Sequence, residues 1–115
     1  GADQSTSFDW RNKSCNDGFS NKTSPVGSYK ANNFGVYDTV GNVYEWVGDC
    51  WHDNYSGAPT DGSAWTSSGN CSKRFLRGGC WSNGPKYLRS ANRHGRNAAA
   101  RGNNFGFRIA RTLSR

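Results

Sequence analysis

Phe34-Gly35-Val36-Tyr37-Asp38-Thr39-Val40-Gly41-Asn42-Val43-Tyr44-Glu45-Trp46-Val47 holds the densest apolar run in the first half of the chain. It is entered through a turn signal, Asn32-Asn33-Phe34-Gly35, because Asn and Gly reach left-handed backbone angles at little steric cost. Val43, Trp46 and Val47 then alternate with polar residues too weakly to decide between helix and strand. Elsewhere apolar content is thin. Hydrophobic residues make up 33% of 115 residues, mean hydropathy is −0.91, and Leu and Ile occur only at Leu76, Leu88, Ile109 and Leu113. Five Trp and an aromatic share of 14% argue against a disordered chain, since each aromatic ring buries a large area. One small domain is expected, with a core thin enough to need a disulfide, an ion or an outside partner.

Working outward, residues 1–24 read as loop and Pro25–Tyr29 as a short extended piece with a turn. Residues 52–70 form a long loop, a feature usually functional or held by cross-links. Arg74-Phe75-Leu76-Arg77-Gly78-Gly79 reads as a strand ending in a tight turn. Leu88–Arg93 and Gly106–Arg111 are further strand candidates, the latter with Phe107 and Ile109 on one face and Arg108 on the other. No tandem repeat or long amphipathic helix is evident. No run of about 18 apolar residues suggests a membrane span, and no signal peptide is recognisable.

Charge is divided along the chain. Residues 1–61 hold all eight acids and four bases, whereas residues 62–115 hold eleven bases and no acid, for a net charge of +7. Such a split fits a polar interaction surface, a nucleic-acid partner, or one half neutralising the other within the fold. Cys15, Cys50, Cys71 and Cys80 include no C-x-x-C pair, which weakens a zinc reading. Cys50 and Cys71 flank the long loop; a disulfide between them would close it and contribute about 3 kcal/mol. Cys15 and Cys80 pair or stay free, and four reduced thiols are the alternative. Trp46, Trp51, Trp65 and Trp81 read as core, and Trp10 as core or surface.

Three segments together resemble the formylglycine-generating-enzyme, or sulfatase-modifying-factor, family. They are Phe34–Val47, Leu76-Arg77-Gly78-Gly79-Cys80-Trp81, and Leu88-Arg89-Ser90-Ala91-Asn92-Arg93 followed by Gly106-Phe107-Arg108-Ile109-Ala110. Their order and spacing match over roughly residues 10–112. The resemblance implies an α+β, C-type lectin-like fold with short strands, few helices and many loops. It also implies that residues 1–115 are the C-terminal portion of a single such domain, lacking its N-terminal part. A missing N-terminal segment or a second chain would then complete it.

The family's oxidases use a cysteine pair soon after the Gly-Gly turn. The matching stretch, Trp81–Tyr87, has no cysteine, and one thiol at Cys80 is too few for a soft metal. His52 and His94 are likewise too few for the histidine cluster of the related iron enzymes. A non-catalytic domain is therefore expected. Carried over by position, a structural calcium site would use Asp38, Glu45 and the carbonyls of Gly41 and Val43, oxygen donors of the kind a hard cation requires. A second would use Asp17, the Phe19 carbonyl and Asn12. The alternative is that Asp38 and Glu45 cap turns or pair with arginine. Arg89, Arg93 and Arg108 could pair with Asp38, Glu45 or Asp49.

Residues 80–105 further resemble the variable region of proteins diversified by retroelements, in which template Asn codons mutate at adenine. The skeleton appears as Gly78, Gly79, Trp81, Leu88, Arg89, Ser90, Ala91, Arg93, Arg101, Gly106, Phe107 and Arg108. Between these lie Ser82, Asn83, Gly84, Tyr87, Asn92, His94, Gly95, Asn97, Ala99, Gly102, Asn103 and Phe105, every one reachable from AAC or AAT by adenine changes. Lys86 is not reachable. Tyr among Ser, Gly and Asn is the composition of antibody paratopes. The resemblance thus implies a ligand-binding domain, cell-surface or extracellular, that presents these twelve side chains to a protein on another cell or host. It expects residues 82–105 to share one exposed surface with Arg89 and Arg108 turned inward. The alternatives are a formylglycine-generating oxidase or its degenerate relative, and nucleic-acid binding through the basic half.

Overall fold

A computed structural model describes Asp9 and residues 16–111. Trp10, Asn12 and Cys15, to which the sequence reading assigned roles, lie outside the described residues. Four strands form one sheet: β1 (Tyr44–Trp51), β2 (Asn70–Arg77), β3 (His94–Asn97) and β4 (Phe105–Gly106), in the spatial order β3-β2-β1-β4. Strands β1, β2 and β3 pair antiparallel, whereas β4 returns to lie parallel to β1.

The run whose type the sequence left open is thus the strand β1. Its weak alternation has a structural cause. Pairing with β2 is regular at Glu45–Arg77 and Trp46–Leu76, then shifts register before Cys50–Arg74 and again before Trp51–Asn70. Such irregularities break the two-residue period that marks an ordinary strand. Strand β2 contains the Arg74–Arg77 segment expected from sequence. It ends where Gly78 and Gly79 take φ of 86° and 73°, angles that only glycine adopts without strain.

Two strand expectations are corrected. Leu88–Arg93 forms bends and turns, with Asn92 N–H donating to the Arg89 carbonyl at 2.9 Å, and the strand begins one residue later at His94. Beyond Gly106 the chain leaves the sheet, and Phe107 and Ile109 are 74% and 87% exposed. There Arg108 donates to the carbonyls of Tyr37 and Asp38 and to the Glu45 carboxylate of β1, so side-chain bonds replace the main-chain ladder.

The core is small, as composition requires. Tyr44, Leu76 and Cys80 are buried together; Trp46 and Phe105 pack against them and meet each other edge to face at 5.7 Å. The long loop has a second anchor. Trp65 is buried and stacks on His52 at 3.5 Å, while its backbone bonds to both Cys50 and Asp49. Cys50 and Cys71 form the expected disulfide, with Cα atoms 4.4 Å apart. Trp51 and Trp81 are half-buried, so the tryptophans assigned to the core sit at its margin more often than at its centre.

Candidate functional site

The segment between Trp81 and Phe105 leaves and rejoins the fold at one place. Trp81 N–H donates to the Asn42 carbonyl at 2.9 Å, and Tyr44 N–H donates to the Asn104 carbonyl at 2.8 Å. Gly41 N–H adds a bond to the Gly78 carbonyl at 2.8 Å. Asn42 is the hub. Held at φ 60°, it also ties its side-chain amide to both backbone groups of Ser24. The sequence reading passed over Asn42, although a Gly-Asn pair inside an apolar run signals a left-handed turn.

Within the segment the backbone is held mostly by main-chain bonds. A 3-10 turn spans Pro85–Tyr87, β3 pairs with β2 at four positions, and Ala98 N–H reaches the Ser72 carbonyl at 2.8 Å. Ser82, Tyr87, Asn97, Ala99, Gly102 and Asn103 are exposed. Asn83 and Asn97 accept from the nearby N–H groups of Cys80 and Ala99, bonds that stay local. The other expected display positions, Asn83, Gly84, Asn92, His94, Gly95 and Phe105, are half-buried. His94 stacks on Tyr44 at 4.9 Å, and burial, followed by the charges of Arg96 and Lys73, lowers its pKa. Phe105 belongs to the core margin. The twelve positions therefore divide into an outward set and a set that also packs.

The arginines behave differently from one another. Arg108 pairs with Glu45 through both carboxylate oxygens, one of the two outcomes anticipated for Glu45. Arg93 finds no acid. It donates to the His52 carbonyl and lies over the rings of Phe75, Tyr55 and Trp51 at 4.2, 4.4 and 5.6 Å. Arg89 is exposed and reaches only the Lys86 carbonyl, at 3.1 Å, contrary to the expectation that it turns inward. Among the described residues no acid pairs with it.

Through Arg93 the disulfide-closed loop joins the variable segment. Tyr55 is 56% exposed and its hydroxyl accepts from Arg77 at 2.8 Å. A hollow of 570 Å³ is lined by Trp51, Asn54 and Ser56 of this stretch and by Asn70 and Lys73 of β2. Residues 52–56 were read only as loop, yet Asn54, Tyr55 and Ser56 repeat the side-chain types of the display positions.

The calcium sets can be tested for fit. Glu45 is occupied by the Arg108 guanidinium, and Asp38 Oδ2 accepts from Gly27 N–H at 2.7 Å. Asp38 Oδ1 is buried without a partner. Asp17 accepts from Phe19 N–H and the Tyr29 hydroxyl at 2.9 and 2.8 Å. Among the described residues no three His, Cys, Asp or Glu side chains converge. As arranged, Glu45 serves the Arg108 guanidinium and Asp38 Oδ2 a main-chain N–H, the turn-capping and arginine-pairing alternative to an ion site. Cys80 is buried, 3.3 Å from Ser82 Oγ, and is a free thiol.

This fold and site define a sulfatase-modifying-factor type of domain. The model for the sulfatase-modifying factor enzyme 1-like domain matches residues 2–113, and the chain belongs to that family. It is 34% identical over 97 residues to the formylglycine-generating enzyme of Mus musculus, covering 82% of this chain and 25% of that protein. Among solved structures, PvdO from Pseudomonas aeruginosa superposes with a TM-score of 0.71 at 54% identity, covering 76% of this chain and 33% of PvdO. Treponema denticola variable protein 1 superposes at 0.65 with 36% identity, covering 76% and 31%. The chain thus spans between a quarter and a third of these relatives' lengths. The likeness to both a formylglycine-generating enzyme and a variable protein agrees with the two resemblances read from the motifs. No helix among the described residues is long and apolar enough to cross a membrane.

Proposed function

We propose that this chain is a non-catalytic binding domain, displayed outside the cell, whose ligand surface is the diversified segment 82–105. The observation that carries the reading is the pairing of a main-chain clamp with outward side chains. Both ends of the segment are fixed on Asn42 and Tyr44 by backbone bonds. Ser82, Tyr87, Ala99 and Asn103 meanwhile stand in solvent. A surface of this kind changes its contacts without rewriting its frame. Tyr87 supplies a rigid amphipathic contact at low entropic cost, and its small neighbours leave space around it. The surface fits a folded protein partner. The retroelement origin rests on the motif resemblance and on the likeness to Treponema denticola variable protein 1.

The test is a library randomised at Ser82, Tyr87, Asn97, Ala99, Gly102 and Asn103, displayed on phage and panned against hen lysozyme as a model folded protein. Most members should melt within about 3 °C of the parent, a difference of under 1 kcal/mol, and panning should enrich specific binders. A library whose members are mainly unfolded would sink the proposal. Copper-dependent oxygen consumption with a cysteine-containing sulfatase peptide would establish the oxidase instead.

A further inference from the structure

The acidic half of the chain does not neutralise the basic half through ion pairs. Residues 62–115 carry eleven bases and no acid. Among the described residues one ion pair forms, Arg108 with Glu45. Other acids accept from neutral N–H groups instead: Asp38 from Gly27, Asp49 from Trp65, Asp53 from the Trp51 indole and Asp61 from Ser63. The basic half therefore keeps its charge in the folded protein.

That charge is dense on the display segment. Residues 82–105 hold Lys86, Arg89, Arg93, Arg96 and Arg101, and no acid. All but Arg93 are exposed. They interleave with the exposed display positions: Lys86 Nζ lies 4.9 Å over the Tyr87 ring, Arg96 precedes Asn97, and Arg101 precedes Gly102. Arg96 also stands opposite Arg74 in the β2–β3 ladder. Like charges facing each other across strands cost stability, and among the described residues no acid pairs with either. After burial, the charges of Arg96 and Lys73 lower the pKa of His94, so the field of this patch is felt within the sheet. None of the five bases is among the twelve diversified positions, so the charge stays while those side chains change.

We infer that the display surface selects folded proteins with an acidic surface, and that the constant bases Lys86, Arg89, Arg96 and Arg101 supply this preference whatever the diversified side chains are. The inference rests on the binding surface proposed above and names its class of partner. Opposite charge across an interface speeds encounter and turns away partners of like charge. The diversified positions then decide which acidic protein is held. A nucleic acid also brings negative charge, but it asks for stacking rings in series or for an element that enters a groove. Tyr87 is the one exposed ring of the segment, and no α-helix occurs among the described residues.

The same randomised library is panned in parallel against hen lysozyme, a basic protein, and α-lactalbumin, an acidic protein of the same fold. Specific clones against α-lactalbumin should be at least about tenfold more numerous and should associate at least about tenfold faster. Their association rates should fall at least about tenfold as salt rises from about 20 to about 300 mM, where screening cuts the reach of charge below about 10 Å. In selected clones, Lys86→Gln, Arg89→Gln, Arg96→Gln and Arg101→Gln made together should slow association about tenfold or more, with melting within about 3 °C of the parent. The salt series needs no variant, so it decides the matter even where the quadruple substitution unfolds. Equal yields and rates on the two targets overturn the inference and leave the binding surface standing. No specific clones on either target overturn both. Parent chain that holds duplex DNA more tightly than the clones hold α-lactalbumin also overturns the inference, because the partner is then a nucleic acid.

Discussion

Gly95 lies against the six-membered ring of Trp51. A Cβ built there would overlap ring carbons Cε3 and Cζ3 and come within 2.6 Å of Lys73 Cε. The indole has little room to withdraw, because Phe75 packs on it at 4.7 Å and Lys73 Nζ lies 3.7 Å over it. Gly95, one of the twelve expected display positions, thus contributes by lacking a side chain. Gly95→Ala should destabilise by about 1–3 kcal/mol, the usual cost of overfilling a packed contact. Asn103→Ala, at an exposed position, should change stability by under about 0.5 kcal/mol. Urea titration of both variants checks this, and equal midpoints would contradict it.

The Cys50–Cys71 disulfide closes a loop with a sequence separation of 21. Chain-entropy reasoning assigns it about 3 kcal/mol. Replacing the pair as Cys50→Ala with Cys71→Ser should lower the melting temperature by about 10 °C or more in a domain this size. The loss should concentrate in the Trp65–His52 stack, which near-ultraviolet circular dichroism would register.

His94 supplies a pH dependence. Burial first, then the charges of Arg96 and Lys73, hold its folded-state pKa below the ordinary 6.5. The unfolded chain therefore takes up a proton before the folded one does. Stability should be fully present above about pH 6.5 and decline as pH falls through the window beneath it, down to the folded pKa. His94→Asn should flatten that window relative to the parent, as seen by melting temperature between pH 7.5 and 5. An unchanged slope would assign the effect to other groups.

Arg108 and Glu45 form the one described salt bridge, with side-chain exposures of 40% and 21%. Partial exposure screens the pair, so Arg108→Gln should cost about 1 kcal/mol in stability. With the guanidinium in place, millimolar calcium added after chelation should leave the melting temperature within about 1 °C, whereas an ion bound only to the folded state would raise it. A rise of several degrees would show that Glu45 releases Arg108 to join a calcium site.

The family was legible because its signatures sit where backbone geometry is demanding. Gly78-Gly79 turns the chain out of β2, Gly41-Asn42 forms the clamp, and Arg108 answers Glu45 across 63 residues. The disulfide was legible because two cysteines bracket a loop rich in turn residues. Strand boundaries were not. Leu88–Arg93 has a strand-like composition, but β3 is placed by its register on β2, where Phe75 faces Gly95, and no local pattern announces that register. The outward or inward direction of the twelve positions was equally hidden. It depends on Trp51, Tyr44 and Trp46, which stand some 40 to 60 residues earlier in the chain.

The meeting of Trp81 and Asn104 on Asn42 and Tyr44 has a consequence for length as well as for composition. Because the two exits are neighbours whatever lies between them, residues inserted in the turns before or after β3 need not displace either exit. Loop-closure entropy rises slowly, by about 0.6 kcal/mol for each doubling of a flexible loop. The clamp therefore permits variation in the size of this surface, and a graft of foreign sequence between Ser82 and Asn103 should find its endpoints already set.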